Sequence, residues 1–364
     1  MSGTRNVPTG AIRESIRGLV AYPIEHERVT VKLDANELGL ELPSAIVAAF
    51  AEAAARIDLR RYPEGHADRL VAAVAERWGV PPESVLVGNG SNEMIALLFA
   101  AFAGPPSSKA APVAVLPSPS FGVYPIQAKS HGFEVREVPL GAGFALDADA
   151  LLATARETDA RLIMLATPNN PTGNAFERGA VERILEEFDG PVVIDEAYQP
   201  FARDHWLGCW SRWPNAVVLR TLSKVGLAAL RIGFLFADPR LTGELRKAKL
   251  PFNLNAVSAA VGEAAIRCWP ELEAVAAEVV RERQRLAQRL GGVPGVEVFP
   301  SEANFVLVRV PGNADSVQHQ LLERGISVRN FSRKPALAGC LRITIGKPAE
   351  NDALVASLSD VLRS

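Results

Sequence analysis

Residues 220–233 read RTLSKVGLAALRIG and follow the apolar run AVVL. Lys224 stands just past the end of a buried strand, with Ser223 before it and Arg231 seven residues after it. The ordinary reading of any lysine is a solvated surface cation. At a strand end beside a glycine-containing loop, Lys224 becomes a candidate nucleophile. Desolvation or a neighbouring cation lowers the pKa of an amine and leaves it free to condense with a carbonyl. Arg231 supplies a permanent positive charge and a planar fork that suits phosphate.

Three further apolar runs end in polar groups. After VLV comes GNGSNE, Gly88 to Glu93; after IMLAT comes PNNPTG, Pro168 to Gly173; and PVVI runs into Asp195, Glu196, Ala197 and Tyr198. Ligands of open α/β sheets bind beyond the carboxyl ends of the strands, so these ends together say more than any one of them. Each also has a structural alternative. GNGSNE reads as a turn with Ser91 or Asn92 capping a helix, or as a cradle in which Gly88 and Gly90 let an anion approach the N–H groups of that helix start. As a dinucleotide fingerprint it is weak, since Glu93 stands where a third glycine belongs. TPNNPTG is a turn by composition, although Asn169 and Asn170 have side chains able to donate to a ligand. Asp195 is either a satisfied structural carboxylate or the partner of a cationic ring nitrogen, because a lone charge at the end of a buried strand is costly. Tyr198 is either core with its hydroxyl tied off or a contact to the same ligand.

One cofactor matches the set. Pyridoxal phosphate requires an amine for its aldehyde, an acid for its pyridinium nitrogen, a donor for its phenolate oxygen and a cradle for its phosphate. Lys224 answers the first and Asp195 the second. Tyr198 with Asn170 answers the third, and Gly90, Ser91, Asn92, Ser223 and Arg231 the fourth. Phe121, in SPSFGVY after another apolar run, has a ring able to stack on the cofactor.

Such residues need strands that end together. From about residue 84 to 237, the runs SVLVG, APVAVL, FEVREVPL, RLIMLAT, PVVID, AVVLRT and RIGFLFA alternate with helical patterns. Continuous apolar character indicates strands buried on both faces. The interleaving indicates an α/β fold, a mostly parallel sheet sandwiched by helices. After Pro251 a helix-rich block leads to ANFVLVRV, GISVRN and CLRITIG, which read as a smaller α+β domain. The expected organisation is an N-terminal segment, residues 1–40, associated with the small domain, then a large ligand-binding domain, 41–250, and the small C-terminal domain, 251–364.

Composition narrows the function. With 364 residues, 48% of them hydrophobic, the chain can build a sizeable core, and a net charge of −2 leaves no basic footprint for nucleic acid. Cys209, Cys268 and Cys340 are odd in number and scattered, which argues for a reducing compartment rather than a disulfide framework. The five histidines have no companion at metal-ligand spacing, so no metal is expected. The N-terminus lacks a signal-peptide core, and no apolar run approaches the roughly 18 residues of a membrane span. The expectation is a cytoplasmic protein that binds neither nucleic acid nor membrane.

GNGSNE, PSFGVY, TPNNPTG, DEAY and TLSKVGLAALRIG, in this order, resemble the aspartate-aminotransferase-fold (fold type I) pyridoxal-phosphate enzymes, and within them the histidinol-phosphate aminotransferases. LDANE, RYPEG, ANFVLVR, GISVRNF and LRITIG extend the similarity over nearly the whole chain. The resemblance implies transamination between an amino donor and a 2-oxo acid, with histidinol phosphate and 2-oxoglutarate as the expected pair in histidine biosynthesis. It implies that Lys224, Asp195 and Tyr198 are catalytic and that Asn170, Ser223 and Arg231 contact the cofactor. It further implies that Tyr62 crosses a homodimer to the neighbouring cofactor phosphate, that Arg342 grips the anionic tail of the substrate, and that Arg329, Tyr22 and Asn36 surround the substrate. Some positions depart from the family pattern. Leu38-Gly39 after Asn36-Glu37 lacks the usual proline, Ala229 stands where glycine is frequent, and Phe121 lacks a tyrosine hydroxyl seen in relatives. Aromatic aminotransferases and threonine-phosphate decarboxylases share these motifs, so the substrate stays open among the three. A non-catalytic regulatory module is the remote alternative. Intact Lys224 and Asp195 oppose it, as does the lack of a winged-helix extension before residue 30.

Overall fold

The computed structural model describes residues 9–20, 29–104 and 111–363. Its strands are β1 (Val31–Leu33), β2 (Val85–Asn89), β3 (Val113–Ser118), β4 (Glu134–Pro139), β5 (Leu162–Ala166), β6 (Val192–Asp195), β7 (Ala216–Thr221), β8 (Ile232–Phe236), β9 (Glu297–Val298), β10 (Phe305–Arg309), β11 (Ile326–Asn330) and β12 (Cys340–Thr344). The larger sheet runs β2-β8-β7-β6-β5-β3-β4. β8 is antiparallel to both of its neighbours, and the other pairings are parallel.

The apolar runs form these strands because successive residues enter two different cores. Leu162 and Met164 of β5 and Val193 of β6 face one core, and Ile163, Leu165, Val192 and Ile194 face the other. Helices Ser91–Phe102 and Val123–Ser130 cover the first face. Helices Asp68–Trp78, Ala148–Glu157 and Arg178–Glu187 cover the second. A strand buried on both faces cannot alternate polar with apolar residues, which is why the runs are continuous. The carboxyl ends of β2, β3, β5, β6 and β7 open on one edge. Reversal of β8 brings its amino end, immediately after Arg231, to that same edge.

The smaller sheet runs β1-β11-β12-β10-β9. β1 pairs with β11 in parallel, Val31 opposite Ile326 and Leu33 opposite Val328. Leu33, Phe305, Val308, Leu341 and Ile343 form its core with Leu286 and Leu290 of helix Trp269–Gly291 and with Leu354 and Leu358 of helix Pro348–Val361. Arg329 of β11 lies opposite Arg342 of β12. Directly opposed residues of an antiparallel pair share a face, so the two guanidiniums project from the same side of the sheet. Among the described residues, no helix is long and apolar enough to cross a membrane.

Candidate active site

The open strand edge borders a cavity of about 630 Å3 that residues of both sheets line. Ser91, Asn92, Phe121, Asn170, Asp195, Tyr198, Ser223, Lys224 and Arg231 line it from the larger sheet, and Asn36, Arg329 and Arg342 from the smaller. Tyr22 lies outside the described residues. Tyr62 is not part of this cavity: its side chain is 83% exposed and stacks on Phe252 with 5.1 Å between ring centroids.

Asp195 ends β6 on the face of Val193, where helix Val123–Ser130 packs. Tyr124 of that helix donates its hydroxyl to Asp195 Oδ2 at 2.8 Å, and the Ala197 N–H donates to Oδ1 at 3.0 Å. Burial pushes the Asp195 carboxyl up to about 6, although Tyr124, Ala197 and Lys224 all pull it down. It is therefore ionised at neutral pH yet poorly solvated, the state in which a carboxylate pairs most strongly with a cationic ring nitrogen. The adjacent Glu196 carries no such opportunity, because Arg220 holds it at 2.9 Å in the core.

Lys224 follows β7 on a short π-helical turn, Ser223–Leu227, closed by Gly226 at φ 95. Only glycine adopts this backbone readily, and a Cβ there would also lie 2.7 Å from Leu38 Cδ2. Burial, then the charge of Arg342, brings the amine down to about 8 against the opposing pull of Glu37. Its Nζ lies 5.6 Å from the centre of the Tyr198 ring. Tyr198 combines both readings given to it above: its ring lines the cavity while its hydroxyl accepts from Asn36 Nδ2 at 2.8 Å.

The capping reading of GNGSNE is corrected. Gly90, not Ser91 or Asn92, occupies the cap position of helix Ser91–Phe102, at φ 75 and with no side-chain cap. Ser91 and Asn92 are the first helical residues, whose N–H groups have no intrahelical acceptor. Arg231 comes to this helix start from the other side of the sheet edge. Its Nη1 donates to Ser223 Oγ at 3.2 Å, and a Cβ on Gly90 would lie 2.6 Å from its Nη2. A Cβ on Gly233 would meet Gly90 C at 2.2 Å, so two glycines let the guanidinium, the serine and the helix start converge. This donor set fits a phosphate, and the amine and carboxylate fit the ring of pyridoxal phosphate.

Arg342 is 7% exposed and ties the two sheets together, donating to Asn170 Oδ1 at 2.7 Å and to the Asp34 carbonyl at 2.6 Å. Asn169 is absorbed by the turn instead, donating to Pro119 O and Thr172 Oγ1. Sequence reasoning passed over Tyr124 and Thr221. Tyr124 follows Phe121 by three residues, the spacing that brings two side chains to one face of a helical turn. Thr221 accepts the Ser223 N–H at 3.1 Å and so orients the serine.

A fold whose strand ends carry a lysine and a buried carboxylate beside one anion cradle defines a pyridoxal-phosphate-dependent transferase of fold type I. Residues 28–358 match the family aminotransferase class I and II, and the chain belongs to it. It is 42% identical over 356 residues to histidinol-phosphate aminotransferase 2 of Bordetella parapertussis, spanning 97% of this chain and 96% of the relative. It is 40% identical over 354 residues to histidinol-phosphate aminotransferase 1 of Burkholderia lata, spanning 96% and 98%. The crystal structure of histidinol-phosphate aminotransferase from Sinorhizobium meliloti, in complex with pyridoxal 5'-phosphate, superposes with a TM-score of 0.83 at 26% identity, covering 92% of each chain.

Proposed function

We propose that this aminotransferase takes histidinol phosphate as amino donor and 2-oxoglutarate as acceptor. The observation that carries the substrate reading is the pair Arg329 and Arg342, opposed across β11 and β12 and lining the cavity beyond the Arg231 cradle. A second and third cation suit a substrate that brings its own anion. The names of the relatives point to the same substrate.

Bound pyridoxal phosphate supplies an aldehyde carbon for the substrate nitrogen and a ring that accepts electrons. Gly90, Ser91, Asn92, Ser223 and Arg231 would hold its phosphate, Phe121 would stack on its ring, and Asn170 and Tyr198 would serve its phenolate oxygen. Asp195 would keep a proton on its ring nitrogen. Lys224 is the residue that would hold its aldehyde carbon and give it up to the substrate amine. The freed Nζ would be placed to move the proton from the substrate α-carbon to the cofactor carbon that receives it. Arg342 grips the substrate's tail anion, and Arg329 with Tyr22 adds phosphate affinity. Residues 41–250 form the bulk of the cofactor domain in this reading, with the smaller sheet on the substrate side, although Leu254, Ala265 and Ile266, past that boundary, pack in the core of the larger sheet. The free thiols Cys209, Cys268 and Cys340 suit the cytoplasm.

Half-reactions of the yellow enzyme with histidinol phosphate, phenylalanine, tyrosine and phosphothreonine test the substrate. Histidinol phosphate is expected to convert fastest. Outright preference for phenylalanine, or carbon dioxide release from phosphothreonine, would replace the proposal. Losing one charge-assisted contact costs about ten- to a hundredfold in specificity. Arg329→Ala is therefore expected to lower kcat/KM for histidinol phosphate by that factor and spare phenylalanine. Equal losses for both substrates would give Arg329 a structural role.

The exposed Tyr62 belongs, on the same reading, to the active site of a second copy of the chain. Leu59, Leu250 and Phe252 are also exposed apolar residues, at 82%, 70% and 46%. Mixed dimers of Lys224→Ala with Tyr62→Phe should regain one working site. No recovery, with subunit exchange demonstrated, would place Tyr62 outside the chemistry.

A further inference from the structure

Glu93 lies within GNGSNE, beside a cradle that has to admit an anion, where a carboxylate is electrostatically unwelcome. From the first turn of helix Ser91–Phe102 it reaches back under the loop, and its Oε2 accepts the Asn89 backbone N–H as well as the Asn89 amide at 3.2 Å. A Cβ on Gly88 would lie 2.7 Å from that oxygen, so a glycine there lets the loop close over the carboxylate.

The carboxylate is held in turn by a segment 160 residues away. Asn253 Nδ2 donates to both Glu93 oxygens, at 3.1 and 2.9 Å. Asn89 Nδ2 donates to the Asn253 carbonyl at 2.8 Å. Lys249 Nζ donates to Asn253 Oδ1 at 2.5 Å, which fixes the way the amide faces. Lys249 is buried, and its charge opposes that of Glu93. Phe252, just before Asn253, holds φ 57, a left-handed conformation that a bulky residue keeps only when its surroundings require it.

We propose that Glu93, clamped by Asn253 and Lys249, is a positioning residue for the cofactor phosphate: by taking up the Asn89 N–H it holds Gly90 in its turn and aims the Ser91 N–H and the Gly90–Arg231 approach at the anion. This rests on the cradle assignment made above. Two effects compete. Charge repulsion alone would make removal of Glu93 tighten phosphate binding, and positioning makes removal weaken it. The direct bond to the loop backbone makes positioning the larger effect.

The test is spectral titration of apoenzyme with pyridoxal 5'-phosphate and with pyridoxal, which lacks the phosphate. Glu93→Ala should raise the Kd for pyridoxal 5'-phosphate by about ten- to a hundredfold, the size of one lost charge-assisted hydrogen bond, and leave that for pyridoxal unchanged. Glu93→Gln keeps an acceptor for Asn89 and should remain near wild type. Tighter or unchanged binding of pyridoxal 5'-phosphate by Glu93→Ala, or equal losses for both ligands, overturns the proposal. Should Glu93→Ala fail to fold, Lys249→Met leaves the loop's own bonds intact and should shift the ratio the same way by less; an unmoved ratio overturns the proposal equally. Arg231→Ala separates the two levels. If it weakens pyridoxal 5'-phosphate selectively while Glu93→Ala does not, the cradle stands and the positioning role falls. If Arg231→Ala leaves the ratio unmoved, the cradle assignment itself fails.

Discussion

Lys224→Ala is expected to fold and to lose transamination by about four orders of magnitude. The variant removes the amine that moves the α-proton, and positioned acid–base groups contribute about a hundred- to ten-thousandfold. It also removes the covalent anchor of the cofactor, so the loss belongs at the upper end. Single-turnover spectra with histidinol phosphate measure it. Turnover within tenfold of wild type would mean that another group moves the proton. The apoprotein gives a second readout. Burial holds the folded Lys224 amine at about 8, below its ordinary 10.5, so below pH 8 a charged amine is buried at full cost. Wild-type apoprotein should gain stability relative to Lys224→Ala as pH rises from about 8 to 10.5, and the difference should be constant below that window.

Asp195→Asn is expected to lower kcat about a hundred- to a thousandfold, the usual loss when one preorganised electrostatic partner of a reacting centre is removed. Cofactor affinity should change much less, because the phosphate cradle and Lys224 remain. Near wild-type turnover would contradict the role given to Asp195. Apoprotein stability should move the opposite way. The folded Asp195 carboxyl sits at about 6 instead of its ordinary 3.8, so its burial costs about 3 kcal/mol above pH 6, shrinks as pH falls, and vanishes below about pH 4. Tyr124, whose hydroxyl can turn to accept from an amide, leaves Asn satisfied. Asp195→Asn apoprotein should therefore melt higher than wild type at neutral pH and equally at pH 3.5. A site that destabilises its own scaffold in this way is the expected signature of function over stability.

Most of the larger sheet was legible because β2, β3 and β5 to β8 are buried on both faces and read as nearly unbroken apolar runs, whereas β4, expected from FEVREVPL to be buried in the same way, lies at the sheet edge with most of its residues exposed. β1 was not legible, since three alternating residues on the edge of the smaller sheet are too few to establish a period. Lys224, Asp195 and Arg231 were visible because each stands where an apolar run stops or resumes. Tyr124 was hidden because a buried tyrosine on an apolar helix face looks like core until its hydroxyl is seen on Asp195. The Glu93 clamp was out of reach for a different reason, since its partner Asn253 comes from a segment with no local signal. The opposition of Arg329 and Arg342 likewise depends on strand register, which the sequence does not print.

Reduction of the purified holoenzyme with borohydride followed by peptide mass mapping tests Lys224 as the cofactor lysine most directly. The predicted result is a single pyridoxyl adduct on the peptide that contains Lys224, with the yellow colour lost in step. An adduct on any other lysine, or none with the cofactor still bound, would contradict it.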